Sequence, residues 1–208
     1  MTIESPKLAP VGYHEWHARP GYYMDVARHF EQGSSLLDVG CGTGWLSAEF
    51  PAYVGLDNSP AAVEAAQQRG IDVRLADLEA GLPVGDAEFD GAVLKDVLEH
   101  LLDPVGLVQE VYRALRPGGT VFASSPDAQR WVWHDYTHRR PWTRTSMRRV
   151  FADHGFEVVR VSYESVAPGT GIVSGWFPRK RRPRLLNVLT WLPGWRRNVW
   201  ILARRPAD

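Results

Sequence analysis

Cysteine is almost missing from this chain. Cys41 is the only one in 208 residues, so an internal disulfide is impossible and a cysteine-based zinc site is disfavoured. Net charge is missing too, because 24 basic and 24 acidic residues cancel, which removes any whole-molecule attraction to nucleic acid. No apolar run approaches the roughly 18 residues needed to cross a bilayer. The opening MTIESPKLAPVGYHEW has neither the basic start nor the apolar core of a signal peptide. No repeat, no low-complexity segment and no G-x-x-x-x-G-K-[ST] phosphate loop occurs. Together these absences lead us to expect a cytoplasmic protein that is not a nucleoside-triphosphate enzyme.

The chain does have an ordinary globular composition, 44% hydrophobic and 23% charged, in a length that suits one domain over 1–208. The charge is uneven. Arg179 to Arg205 carries nine Lys/Arg and no acid, leaving 15 basic and 23 acidic residues in 1–178. Nine tryptophans is a high number, and most lie after residue 130, where large amphipathic rings can line a pocket or an interface.

Apolar runs alternate with helix-length segments. Strands are expected at 35–40, 52–57, 71–77, 89–96 and 120–126, with helices near 45–49, from Pro60 to Gly70, and over 104–119. Ser59-Pro60 supplies a capping hydroxyl followed by proline at the first helical position. This alternation implies parallel pairing, hence an α/β, Rossmann-like doubly wound sheet. A loop over 126–142 carries Trp131, Trp133, His134, His138 and Trp142. A helix at 144–154 leads to a sixth strand at 156–166, and 198–205 supplies an antiparallel seventh. The expected organisation is N-terminal cap helices over 1–33, a cofactor-binding core over 34–166, and a basic, aromatic insertion over 167–197.

In an open parallel sheet, ligands bind beyond the carboxyl ends of the strands. The first strand runs into Asp38-x-Gly40-x-Gly42-x-Gly44, with Cys41 inside the loop. A dinucleotide fingerprint is G-x-G-x-x-G, and here the third glycine comes one residue too early to cradle a pyrophosphate. Asp57, beside Asn58, ends the second strand, where a carboxylate can accept from both hydroxyls of a ribose. Asp77 ends the third, where it can accept from an adenine amine. Each acid alone reads more simply as a cap or turn former. Three strand-end features in register describe a nucleoside lying across the sheet edge.

The segments LLDVGCGTGWLS, VGLDNSP, RLADLEAGLPVGDAEFDGAVLKDVLEHLLDP and RALRPGGTVFASSP resemble the successive motifs of class I S-adenosylmethionine-dependent methyltransferases of the small methyltransferase-domain branch. The resemblance runs from about 34 to 126 and more weakly to 166. It implies S-adenosylmethionine as cofactor. Asp38 and Gly40, Cys41, Gly42 and Gly44 then approach its methionine part, Asp57 with Asn58 its ribose, Asp77 and Leu78 its adenine, and Lys95 its sulfonium. Tyr13, Trp16, His17 and Tyr22 are candidates to close over the methionine end, or are ordinary packing aromatics.

A methyl group on a sulfonium is already activated, so the protein mainly holds donor and acceptor in line. A hydroxyl acceptor also needs its proton removed, for which a histidine suits. His100 in KDVLEHLLDP and His138 in WHDYTHRRPWT are the candidate catalytic residues, if they face each other across the mouth. The expected reaction is O-methylation of a small molecule, with no metal. Alternatives stay open. Asp96, Glu99 and His100, expected in one helical turn, resemble with His134 or His138 the metal site of small-RNA 3′-end methyltransferases. A lipid-linked acceptor, peripheral membrane contact through 179–197, and a non-methylating S-adenosylmethionine-binding protein are the others. A nucleic-acid partner is disfavoured by the acidic remainder of the chain.

Overall fold

The structure is a computed structural model and describes residues 24–165 and 196–207. The buried apolar runs form strands β1 (Ser35–Val39), β2 (Ala52–Asp57), β3 (Val73–Leu75), β4 (Phe89–Lys95), β5 (Leu115–Pro126), β6 (Glu157–Ser165) and β7 (Arg196–Arg204). They make one sheet in the order β3-β2-β1-β4-β5-β7-β6. The first five strands pair in parallel, and β7 runs antiparallel between β5 and β6. The expected doubly wound sheet with its antiparallel last strand is therefore present. Strand order reverses between β1 and β4, so the switch point where such folds bind ligands lies beside the glycine loop.

Side chains alternate across this sheet, and each face buries its own core. Leu37, Leu94 and Ala123 point to one side, against Leu107, Val111 and Phe151. Leu36, Val93 and Phe122 point to the other, with Leu46, Phe50 and Val63. Among the described residues the α-helices are α1 (Met24–Ala27), α2 (Pro60–Gln67), α3 (Pro104–Ala114) and α4 (Arg144–Ala152). Three of them start on a side-chain cap. Ser59 Oγ accepts from the Ala62 N–H at 3.4 Å, and Asp103 Oδ1 from the Gly106 N–H at 2.9 Å. Thr143 and Ser146 form a reciprocal capping box at the start of α4.

Several boundaries differ from expectation. The helix expected over 104–119 stops at Ala114, and Arg116–Gly119 is a bulge in β5 instead. Leu115 pairs with Phe89, and the next pair is Thr120 with Gly91. Pro117 has no N–H to continue a helix, and Gly118 takes a left-handed φ of 80°. Arg205 then supplies donors to the helix end, its Nη1 lying 3.0 Å from the Tyr112 carbonyl and 2.7 Å from that of Leu115. The segment near 45–49 is a single 3₁₀ turn, Trp45–Ala48. The third strand covers only Val73–Leu75, and α4 ends at Ala152 rather than 154. Within the expected N-terminal cap, α1 is the described helix. Tyr13, Trp16, His17, Tyr22 and residues 167–195 of the expected basic insertion lie outside the described residues, while its last two, Arg196 and Arg197, belong to β7, which starts earlier than the expected 198.

Phe151 anchors α4 to the sheet, fully buried and edge-on to Phe156 at 5.4 Å. Truncating Phe151→Ala leaves a cavity and should cost about 3–5 kcal/mol. Urea unfolding followed by tryptophan fluorescence measures this, as a lower midpoint with an unchanged slope.

Candidate active site

The loop after β1 is shaped by glycines in left-handed conformation, with φ of 73° at Gly40, 56° at Gly42 and 74° at Gly44. Gly40 also has no room for a side chain, since a Cβ there would sit 2.4 Å from Val97 Cγ2. The loop is tied to the end of β2. The Gly40 and Cys41 N–H groups donate to the Leu56 carbonyl at 2.8 and 3.1 Å, and Gly42 N–H donates to Asp57 Oδ2 at 2.7 Å. The loop leads into a four-residue 3₁₀ turn, which has no helix N-terminus to offer a phosphate. The missing fingerprint spacing has its structural counterpart here.

The strand-end acids sit in different settings. Asp38 is buried at the end of β1 and accepts from the Tyr53 hydroxyl at 2.8 Å. Burial pushes its pKa up to about 7, the Tyr53 bond partly offsets this, and nearby Asp57 adds to it. The same burial drives the Cys41 thiol far up, with Asp38 and Asp57 reinforcing it. Cys41 is a packed side chain of the loop, not a nucleophile. Asp57 accepts one backbone N–H on each oxygen, Ser59 at 2.9 Å and Gly42 at 2.7 Å, which leaves each oxygen a further lone pair. Asn58, next to it, is exposed. Asp77 is exposed and lines a cleft of about 410 Å³ with Leu75, Leu82 and Glu110. Leu78 packs half-buried against the core.

At the end of β4, Lys95 is buried and its Nζ contacts Asp96 Oδ2 at 3.1 Å. Asp96 holds a left-handed φ of 54°, strained for a residue with a side chain. Its Oδ1 accepts from Ser124 Oγ at 3.2 Å and Asn198 Nδ2 at 3.3 Å, which fixes it from β5 and β7. Asp96, Glu99 and His100 therefore lie on a tight irregular turn, with His100 N–H donating to the Val97 carbonyl at 3.0 Å, rather than on a helix.

The loop after β5 folds back over this turn. Its ends are joined by a bridge between Asp127 and Trp142, and Ala128 N–H donates to the Trp142 carbonyl at 2.8 Å. Its far limb docks on Glu99, whose carbonyl accepts from the N–H groups of Arg139 at 2.7 Å and Arg140 at 3.4 Å. Buried Val132 anchors the near limb, and its carbonyl lies 2.7 Å from His138 Nδ1. The His100 and His138 rings meet edge-on with centroids 4.9 Å apart. Burial, and then His138, hold the His100 pKa below its ordinary value, so this imidazole is neutral at neutral pH. His134, the other histidine of the loop, is exposed and stands apart from the pair. Trp133 and Tyr136 of the same loop are 55% and 84% exposed.

Glu99 is buried, with Oε2 accepting from Ser125 Oγ at 2.9 Å and Oε1 without a hydrogen-bond partner. Burial, reinforced by Asp96, pushes its pKa well above the carboxylate range. One oxygen of Glu99 and one ring nitrogen each of His100 and His138 lie within 4.8 Å of one another. Tyr53, Ser125, Thr137 and Asn198 were not identifiable as site residues from sequence. Only Ser124-Ser125, polar at the buried end of an apolar strand, left a trace there.

Residues 16–161 match the family described as methyltransferase domain. A probable S-adenosylmethionine-dependent methyltransferase of Mycolicibacterium smegmatis is 37% identical over 128 residues, covering 59% of this chain and 49% of that protein. A ubiquinone biosynthesis O-methyltransferase of Methylocella silvestris is 37% identical over 145 residues, 57% of this chain and 53% of the other. The chain thus spans about half the length of the curated relatives it matches. Among solved structures, an S-adenosylmethionine-dependent methyltransferase from Archaeoglobus fulgidus superposes with a TM-score of 0.71 at 18% identity, over 92% of this chain and 94% of the other. That likeness establishes the fold. The chain belongs to the methyltransferase domain family.

Proposed function

We propose that the protein transfers the methyl group of S-adenosylmethionine to a hydroxyl oxygen of a small molecule. The observation that carries this reading is the edge-on contact of the His100 and His138 rings, 4.9 Å between centroids, beside the carboxyl ends of β4 and β5. In this reading Asp38, Gly40, Cys41, Gly42 and Gly44 hold the methionine part, Asp57 and Asn58 the ribose, Asp77 and Leu78 the adenine, and Lys95 borders the sulfonium. When bound, the cofactor would supply an activated methyl group for in-line attack by the acceptor oxygen, and the chain's own part is to hold the two in line and take the hydroxyl proton on a histidine. The exposed rings of Trp133 and Tyr136 support an aromatic or otherwise apolar acceptor. The likeness to a ubiquinone biosynthesis O-methyltransferase supports oxygen as the atom methylated.

The test is direct. S-adenosylmethionine binding is measured by calorimetry, and methyl transfer to a panel of catechols and phenols by mass spectrometry. His100→Gln should keep cofactor affinity and lose turnover about 10²–10⁴-fold, the usual worth of a general base. Undiminished turnover in that variant, or binding with no product from any acceptor, would count against the reading. The second result would favour a cofactor-binding protein that does not methylate.

A second reading has its own support in Glu99 Oε1, buried and unpartnered beside the two imidazoles. A divalent cation on Glu99, His100 and His138 would satisfy that oxygen and orient a hydroxyl pair. Asp96 is engaged with Lys95, Ser124 and Asn198 and His134 is exposed, so neither joins this set. Purified protein should then contain a stoichiometric metal, and chelation should abolish turnover. Full turnover in metal-free protein would dispose of the cation.

Asp38 makes the binding pH-dependent. Its folded pKa of about 7 lies above the ordinary 3.8. Its contribution to stability is therefore whole below pH 3.8 and is lost as pH rises through about 7. The cationic methionine end favours the carboxylate, so binding at pH 6 should release up to about one proton, and affinity should rise toward pH 8. Calorimetry in two buffers of different ionisation heat reads this directly. Asp38→Asn should bind more weakly and release none.

A further inference from the structure

A cleft of about 680 Å³ opens at the end of the sheet opposite the glycine loop. Its walls are the amino ends of β1, β4 and β5, the chain joining α1 to β1, and the last residue of antiparallel β7. The bulge of β5 forms one wall. A Cβ on Gly118 of that bulge, or on Gly33 of the α1 side, would meet nothing within 4 Å, so the backbone at both borders open space. Gly118 N–H donates to the Arg205 carbonyl at 2.9 Å, and Arg205 N–H to the Gly119 carbonyl at 2.8 Å. These bonds tie the bulge that carries Arg116 to the strand end that carries Arg204.

Three arginines face two acids around this cleft, and one of the acids is already taken up. Asp90 Oδ2 accepts from the Ser35 N–H at 2.9 Å and its hydroxyl at 2.8 Å, and Oδ1 accepts from Arg116 Nη1 at 2.5 Å. Burial works against ionisation of Asp90, but the bonds from Arg116 and Ser35 outweigh it and hold the carboxyl below its usual range. The same bonds fix Arg116, whose Nη1 also donates to Ser35 Oγ at 3.0 Å. Its Nε and Nη2 remain as donors with no acceptor among the described residues. The other charged groups of the lining are Arg28, Glu31 and the exposed Arg204. Glu157 stands opposite Arg204 in the β6–β7 register, yet no ion pair joins them. Thr120 pairs with Arg204 across β5 and β7, so both side chains leave the sheet on the face where α1 packs.

We infer that this cleft is a second binding site, which takes the phosphate group of a small soluble phosphate monoester on Arg116, Arg204 and the Thr120 hydroxyl. It goes beyond the methyl-transfer reading and does not depend on it, because the cleft shares no residue with the glycine loop or the histidine pair. A planar carboxylate is filled by a single guanidinium fork. A tetrahedral phosphate offers three terminal oxygens to donors that arrive from different strands, which is the arrangement here. The volume exceeds what a phosphate group needs and leaves room for the esterified part. His29 also lines the cleft, its ring stacked on Phe122 at 5.3 Å, and gives that part a flat wall to lie against.

The experiment is a titration of ¹⁵N-labelled protein with glycerol 3-phosphate and with inorganic phosphate, at constant ionic strength. Amide signals of Gly33, Gly118, Gly119 and Thr120 should shift and saturate, while those of Gly40, Gly42 and Gly44 stay in place. Arg204→Gln, at an exposed position outside the Asp90–Ser35–Arg116 network, should weaken glycerol 3-phosphate about 10–100-fold, the usual worth of a hydrogen bond to a charged group. Its thermal midpoint should be unchanged. Shifts centred on the glycine loop, shifts that never saturate, or equal affinity in Arg204→Gln would each overturn the inference. Succinate bound as tightly as glycerol 3-phosphate would overturn the phosphate class. Sedimentation with phosphatidic-acid vesicles that Arg204→Gln abolishes would overturn the soluble ligand in favour of a lipid head group.

Discussion

The histidine side of the candidate site depends on one buried residue, Glu99. Its side chain reaches Ser125 on β5, and its own carbonyl receives the N–H groups of Arg139 and Arg140 from the loop beyond β5. Both ends of one residue thus clamp three parts of the chain. His100 follows Glu99 and His138 precedes Arg139, so the rings meet because they are chain neighbours of the two sides of that clamp. A glutamate enclosed in this way is held toward its neutral form, since a bare carboxylate with Asp96 nearby would be far costlier.

On the glycine-loop side the constraint is geometric. The glycine loop is fastened to the end of β2 through Leu56 and Asp57, so the loop and the strand-end acid are set relative to each other before any ligand arrives. Asp96 extends the same logic across the switch point. Its left-handed backbone is held by contacts from β4, β5 and β7, and strain of that kind persists only where its surroundings over-determine it. The two halves of the site are preorganised by different means, backbone ties on one side and a side-chain network on the other.

Much of this was legible in the chain itself. The alternation of buried runs and capped segments specifies the doubly wound sheet, because each signal is local: Ser59-Pro60 and Asp103-Pro104 start helices wherever they occur. The glycine spacing and the acids at strand ends are local as well, and the register brings them to one edge. The parts that were not legible depend on partners far away in sequence. Asn198 takes its meaning from Asp96, 102 positions earlier, and Thr137 from His100. Tyr53 reads as any strand aromatic until Asp38 is seen beneath it. His134 and His138 look alike in sequence, and only the Val132 carbonyl and the docked limb separate them. The Arg116–Gly119 segment misled for the converse reason. It carries ordinary helix-stop chemistry, and only the Phe89–Leu115 and Gly91–Thr120 pairs turn that stop into a bulge.

The placement of β7 between β5 and β6 has a consequence for how the molecule comes into being. On a ribosome, β6 emerges well before β7, yet it has no direct bond to β5 and finds its partner only in residues 196–204. Until then β5 presents an open edge, and Asp96 lacks the amide of Asn198. The half built from β1 to β4, with the glycine loop, is complete in sequence far earlier. Nascent chains would therefore acquire the glycine-loop half first and the histidine half last, with an unpaired strand exposed in between. Such an interval invites chaperone capture or edge-to-edge association, and it makes the synthesis of the final strand the step that closes the sheet.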